Sequence, residues 1–462
     1  MADIDRRIAA VPLFPELRRF PEGRGFKQWT GNDSKALMKV YLAAIAGRVS
    51  DGIVRTITAF IEFCYLVRRD VITEDTIYNI GAAIQTFHQE RAIFEDLDVL
   101  DTFSLPRQHS LCHYPILIAE FGSPNGLCTS ITESKHISAV KEPWRQSSRN
   151  QPLSEMLIIN ERMDKLQWAE GDFRKQGMLD GPVTEGLSDN FAHHAGLYAA
   201  ERSAMLVLAA NPDDDDDGGP VDGKEIVEGR LQLARKHIVN LPRHPNQLGP
   251  YLGIDNFAFY IRCFLYEQNL PPGQCEDIDW VYLEASDELP KLDERTKVWV
   301  YPSTTATFSA PSDLCGFGGL KRERIRAVQS WKGGPPRRDC VFVNQDPDLP
   351  GFCGLYVARV LHFLAVLHDH QRYSCAVVTG FTTPYDHPDP LTGMWIVQPD
   401  GDDNEKQVDI IPLQSILRGA HLIGVSGKEW IPNDHSHTDS LDDFKAFYVN
   451  KYIDHHSHEI AF

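Results

Sequence analysis

The sequence has no CxxC pair. Its nine cysteines (Cys64, Cys112, Cys128, Cys263, Cys275, Cys315, Cys340, Cys353 and Cys375) are odd in number and scattered. That excludes a standard zinc ribbon and offers no disulfide framework. Isolated cysteines fit a reducing compartment, so nucleus or cytoplasm is expected. Long apolar runs are missing too. None reaches the ~18 residues of a membrane span, and the nearest, residues 356–367, carries Arg359 and His362. No membrane partner is expected. The first residues are charged and lack an apolar signal core, so the protein is not expected to be secreted. Positive charge is in deficit. Lys and Arg number 46 against 65 Asp and Glu, a net charge of −19. This argues against a surface that clamps nucleic acid throughout, while leaving room for a local basic patch. No internal repeat is seen, and no strand signal precedes residue 100.

What remains is an ordinary globular composition over 462 residues, 42% hydrophobic and 24% charged. That length allows two to four domains. Residues 1–25 are rich in Pro, Gly and Arg and read as an extended lead-in. Helical spacing follows over 30–48 (Leu37, Val40, Tyr41, Ala44), with Asn32 or Asp33 to cap its start. Further helices are expected over 53–67, 73–94, 108–121, 130–140, 153–175 and 186–210. Five adjacent Asp, flanked by Pro and Gly, make residues 211–223 an acidic linker. Residues 224–239 and 246–267 then read as helices of a connector over 224–290.

The tail changes character. Runs over 298–308, 340–344, 355–364, 373–382, 394–398 and 407–411 are rich in Val, Phe, Tyr and Trp. Turn clusters at 332–336, 346–351, 384–390 and 400–403 separate them. The fold class expected is therefore α+β and multidomain. An all-α region over 1–210 precedes a β-barrel-like module over 291–462, closed by a helix at 440–452. Such a module, of the small SH3- or BAH-like kind, suits a protein or chromatin partner; that analogy rests on strand pattern alone.

The densest polar cluster lies between Ser104 and Asn150. From Ser134 to Asn150, Lys135, Lys141, Arg145 and Arg149 face a single Glu142. With His136 and Trp144 this run suits phosphate contact and base stacking; a solvated face is the competing reading. Glu133 and His136 share a helical face, and Ser130-Ile-Thr-Glu133 also fits a capping box. A second basic cluster is Arg322, Arg324, Arg326, Lys332, Arg337 and Arg338 around Trp331. It reads as an acidic-partner or nucleic-acid contact, or as a solvated amphipathic helix over 319–331. Asp434, His435, His437 and Asp439, then Asp454, His455, His456, His458 and Glu459, are metal-capable types read as surface histidines. Gly351-Phe-Cys353-Gly faintly suggests a cysteine nucleophile. Strand pairing of 355–364 with 373–382 is preferred there, with Cys353 as a buried apolar residue.

Several strings carry a resemblance. Gly25-Phe-Lys-Gln-Trp-Thr-Gly31, Phe103-Ser-Leu-Pro-Arg-Gln-His109, His113-Tyr and Ile131-Thr-Glu-Ser-Lys-His136 resemble the C-terminal half of Plavaka-type transposases. These are fungal members of the CACTA-like DDE group. In the tail, Met394-Trp395, Arg418-Gly-Ala-His-Leu-Ile423, Phe447-Tyr-Val-Asn-Lys451 and Asp454-His-His456 are similar to the same family. The resemblance implies DNA as partner, a transposable-element origin, DNA recombination chemistry and a nuclear setting. It also implies an RNase H-like fold in which two Asp and one Glu hold paired Mg²⁺ or Mn²⁺ for phosphodiester strand transfer. Glu133 maps onto the third carboxylate, and so onto the metal. The two Asp would lie upstream on strands for which this sequence shows no signal. A transposase-derived, catalytically incomplete protein with residual DNA association is therefore expected. The alternatives are an interaction module without a DNA role and an active metal-dependent strand-transfer enzyme.

Overall fold

The computed structural model describes residues 2–27, 29–127, 136–176, 178, 217–220, 231–270, 278, 280–285, 288–401 and 408–461. The chain is α+β: its N-terminal region is helical and its C-terminal half is built on sheet, including a nearly closed barrel. It forms two compact units, residues 1–123 with 217–462 and residues 124–216.

The larger unit opens with helix α1 (Ala2–Ala9), where an extended lead-in is expected. The reason is Asp3. Its buried carboxylate pairs with Arg7 one turn on and with Arg48, and accepts from the Ile431 N–H. Helix α2 (Gly31–Ile45) starts one residue later than the spacing predicts. Thr30 is its cap, and Asp33 bonds back to the Thr30 N–H in a reciprocal capping box, a device that contributes about 1 kcal/mol. Helices α3 (Asp51–Leu66), α4 (Glu74–Glu90) and α5 (Tyr114–Phe121) follow the periodicity closely. The three pack Phe63, Ile80, Ile84 and Ile118 together.

Among the described residues fourteen strands form two sheets, every pair antiparallel. The smaller sheet joins β1 (Gly218–Pro220), β2 (Leu231–Leu233), β4 (Ser303–Ser309), β5 (Leu320–Val328) and β6 (Arg337–Arg338). The larger holds β3 (Lys297–Tyr301), β7 (Cys340–Asn344), β8 (Leu355–His368), β9 (Gln371–Thr382), β10 (Ile396–Pro399), β11 (Val408–Pro412), β12 (Ile416–Ala420), β13 (Leu422–Gly424) and β14 (Phe447–Val449). Strands β8 and β9 form the hairpin read from the sequence. They turn on Asp369 and His370, both at positive φ (47° and 65°), as the twist of a two-residue hairpin requires.

The larger sheet runs β12-β7-β8-β9-β10-β14-β13. Only His421 separates β12 from β13 in the chain, so the path comes back to its start. Side chains alternate across this wall, as the pleat dictates. Phe342, Val357, Phe381, Leu422 and Phe447 fill the barrel. Val341, Ala358, Val360 and Val378 face the smaller sheet. The far halves of β8 and β9, with β3, carry α6 (Pro245–Leu252) and α7 (Phe257–Glu267) through Ile261, Phe264, Leu364 and Val377. Gly253, left-handed at φ 68°, divides what reads in sequence as one helix over 246–267. On the outside of β13 and β14, Ile423 and Tyr448 pack with Val40, Leu42 and Ile45 of α2.

Several expectations are corrected. Residues 1–210 are not a separate all-α domain, because residues 1–123 share a core with the barrel. Within 211–223, Asp217 pairs with Arg326 at 2.5 Å and Gly218–Pro220 is strand on β5; the rest lies outside the described residues. Part of the helix expected over 224–239 is β2, held on β4. Most of 319–331, expected as helix, is strand β5 (Leu320–Val328), because Lys321, Glu323, Ile325 and Ala327 alternate inward. Two of those inward residues are charged, which hides the period of two. The helix expected over 440–452 is a single turn (Ser440–Asp443), β14 and a 3₁₀ turn (Lys451–Ile453). Pairing with β10 and β13 overrides helical spacing there. The closing helix is α8 (His455–Ala461).

The smaller unit is described over 124–127, 136–176 and 178. A π-helical turn (Ile137–Lys141) runs into the helix Glu142–Gln146, and the long helix Pro152–Lys175 follows. Asn160 donates to the Ala139 carbonyl at 2.8 Å, and Glu155 accepts from the Ser148 N–H and hydroxyl at 2.6 Å each.

Candidate functional site

The residues expected to contact DNA lie in the smaller unit. Glu133 and Lys135 lie outside the described residues, as does the helix expected over 186–210. His136 precedes the π-turn, Lys141 ends it, and Trp144 and Arg145 sit on the next helix. Lys141, Trp144 and Arg145 are spaced three and four apart, so they share one helical face. All are exposed, as is Arg149 in the following loop at φ 63°. Among the described residues no group of three or more His, Cys, Asp or Glu is placed to hold a metal ion.

The other polar clusters are structural. Arg418 is fully buried and clamps Asp454 with two bonds of 2.7 and 2.6 Å, while reaching Glu323 at 2.6 Å. The Asp313 carboxylate accepts from the His455 and His456 N–H groups. His458 and Lys451 both meet Glu62, at 2.9 and 3.0 Å. Asp454 and His458 are thus buried ties between elements, where surface residues are expected from sequence. In the second basic cluster Arg326 lies 4.2 Å over the Trp331 ring and Arg337 pairs with Asp339. Those two guanidinium groups are buried, and neither is presented to solvent.

A cleft of about 1110 Å³ lies in the larger unit, beside the barrel. Helix α7 forms one wall. Phe259, Cys263 and Glu267, four apart, face the cleft, and Phe257, Ile261 and Leu265 face the sheet. Trp280 adds to that side. The opposite wall is the 3₁₀ turn Gly351–Gly354 with Tyr356 of β8. Gly354 is required there, because a Cβ would run into the carbonyls of Asp346 and Leu349. The turn buries Phe352 and leaves Cys353 exposed, the reverse of the placement expected for Cys353. Phe352 stacks on Trp395, ring centroids 5.2 Å apart. The end of β9, Tyr385, Asp386, Asp400 and Asp409 complete the lining.

Nine aromatic residues and four carboxylates line this cleft, with no Lys, Arg or His among the described residues. No histidine lines the cleft with Cys353 among the described residues, so the Cys–His pairing that a cysteine-nucleophile reading needs is not seen there. Two of the acids are perturbed. Burial, reinforced by the charge of Asp409, pushes the Glu267 carboxyl up to about 7. Burial also raises Asp409, although the Ile410 N–H opposes it. Burial and the nearby Asp409 charge push the Tyr356 hydroxyl up to about 12. No hydrogen bond or ion pair joins Glu267 to another side chain among the described residues. His387 stands 3.9 Å from Asp386 at the edge of the site. Among the described lining residues the site therefore holds carboxylates against aromatic rings with no Lys or Arg. That is the complement of a cation, which gains from both ring faces and carboxylates.

The sequence carried traces of this wall. Phe257-Ala-Phe-Tyr-Ile-Arg-Cys-Phe-Leu-Tyr-Glu267 has more aromatics than one buried face needs. The remaining lining comes from segments that read only as turns. Comparison with protein-family models, curated proteins and solved structures finds no match for this chain. No helix of the described residues is long and apolar enough to cross a membrane.

Proposed function

We propose that the protein is a binding module whose larger unit takes a cationic segment of a protein partner in the aromatic, acid-lined cleft. This agrees with the interaction-module expectation for the β-rich region. The observation that carries it is the Glu267 and Asp409 pair, perturbed and with no Lys or Arg among the described residues of a cleft walled by rings. Aromatic faces attract cations with about 0.5–2 kcal/mol each, and uncompensated carboxylates add to that at low dielectric. Polar and aromatic groups converging in a concave site are the usual mark of a ligand pocket. The test is calorimetric titration of the full chain with a mixed Lys and Arg decapeptide and with its Glu-substituted counterpart. Binding of the basic peptide alone, lost in the double variant Glu267→Gln with Asp409→Asn, supports the reading. Equal binding of both peptides rejects it.

A second reading is transposase-derived DNA association, with the chain catalytically incomplete. It is favoured by the exposed face of Lys141, Trp144 and Arg145, with His136 and Arg149 beside it. Replacing Lys135, Lys141, Arg145 and Arg149 with Ala is expected to weaken retention of duplex DNA at ~50 mM salt and to flatten its salt dependence. Unchanged retention rejects it. Mg²⁺- or Mn²⁺-dependent cleavage abolished by Glu133→Ala would instead favour the active-enzyme alternative.

A further inference from the structure

We infer that the group seated in the cleft is the guanidinium of an arginine, presented by an extended segment of the partner; this rests on the cation reading above. Of the side-chain cations that stay charged at neutral pH, the cleft sorts three. A lysine ammonium is compact and strongly hydrated, and it loses that hydration against ring faces. A trimethylated ammonium suits rings but has no N–H, so it leaves nearby carboxylates without donors. Guanidinium is planar, weakly hydrated, stacks on rings and offers five N–H donors that fit carboxylates two at a time.

The cleft presents both partners for such a group. Tyr385, 56% exposed, stands at the rim as the accessible ring, and the stacked pair of Phe352 and Trp395, both buried, backs the wall behind it. Among the described residues Glu267 has no side-chain hydrogen-bond donor, and the Asp409 carboxylate accepts from the adjacent Ile410 N–H alone. The cleft, at about 1110 Å³, exceeds the size of one side chain and leaves space for flanking backbone. A net charge of −19 favours approach of a basic partner.

The experiment compares four capped heptapeptides, Gly-Ser-Gly-X-Gly-Ser-Gly, on the full chain by calorimetry. X is arginine, lysine, trimethyl-lysine or citrulline, the last an uncharged near-isostere of arginine. The arginine peptide is expected to bind about tenfold tighter than the lysine peptide, and the citrulline peptide not at all. Glu267→Gln with Asp409→Asn should erase the preference for arginine, with the circular-dichroism melt showing the fold retained. Tyr385→Ala, at an exposed site that places no demand on folding, should weaken the arginine peptide. Equal binding of arginine and lysine would overturn the inference and leave the cation reading standing. Tighter binding of trimethyl-lysine would overturn it in favour of a methylated ammonium. Binding of none of the four would overturn both.

Discussion

Two carboxylates with opposite surroundings define what single side chains do in this protein. Glu267 lies near the charge of Asp409, so burial and repulsion hold its carboxyl up to about 7, above the ordinary 4.5. Its charged form is disfavoured in the folded chain, so its ionisation weakens folding as pH rises from about 4.5 through 7. Glu267→Gln should therefore raise the melting temperature at pH 8 and leave it unchanged at pH 4. A lower melting temperature at pH 8 would contradict this sign. Cation binding should tighten between pH 6 and 8 as Glu267 loses its proton, with proton release seen in buffers of different ionisation enthalpy. Affinity flat across that range would contradict the role given to Glu267. Asp454 is the opposite case. Burial opposes its charge, but Arg418 overcomes that and holds the carboxyl well below the usual range. Removing one member of a buried ion pair costs about 3–5 kcal/mol. Arg418→Ala should lose that much in urea unfolding, and a loss under about 1 kcal/mol would show the clamp to be dispensable.

Elements were legible where one face met a uniform environment. Helices α2, α3 and α4 have continuous apolar stripes, and β7, β8, β9 and β11 are runs of Val, Ile, Phe and Tyr; all fall within a few residues of the periodicity. The failures share one cause. In β5 the inward positions include Lys321 and Glu323, satisfied by Glu16 and Arg418 from distant segments. Helix α1 is fixed by Asp3 meeting Arg48 and Ile431, partners the local sequence does not reveal. Strand β14 is made by pairing on both edges. The cleft was hidden for the same reason, since its acids come from α7, β11 and turns that only the fold brings together. The α2 terminus carries a prediction of its own. Gly47 sits at φ 76°, and a Cβ there would strike the Gly427 carbonyl. Gly47→Ala should destabilise by about 2 kcal/mol or more, from left-handed strain plus the displaced contact. An unchanged unfolding midpoint would show that the two segments separate freely.

In the larger unit the N-terminal helices and the barrel share one packed core, so they are expected to unfold together. Ile45, 1% exposed, belongs to the same core as Ile423 and Tyr448 on the barrel's outer face. The helices therefore have a sheet to pack on, and it is the one formed by the C-terminal half of this chain. Ile45→Ala should cost about 2–5 kcal/mol and shift helical ellipticity and Trp395 fluorescence together; separate transitions would mean two independent domains. The cleft stands on this body, where α7, the 3₁₀ turn and β9 are each anchored in a packed core. The most direct test of the account follows the indole N–H resonances of the full chain as the arginine heptapeptide is added. Saturable shifts are expected at Trp280 and Trp395, which line the cleft, with Trp144 and Trp430 unmoved. Shifts confined to Trp144 or Trp430, or none at all, would contradict it.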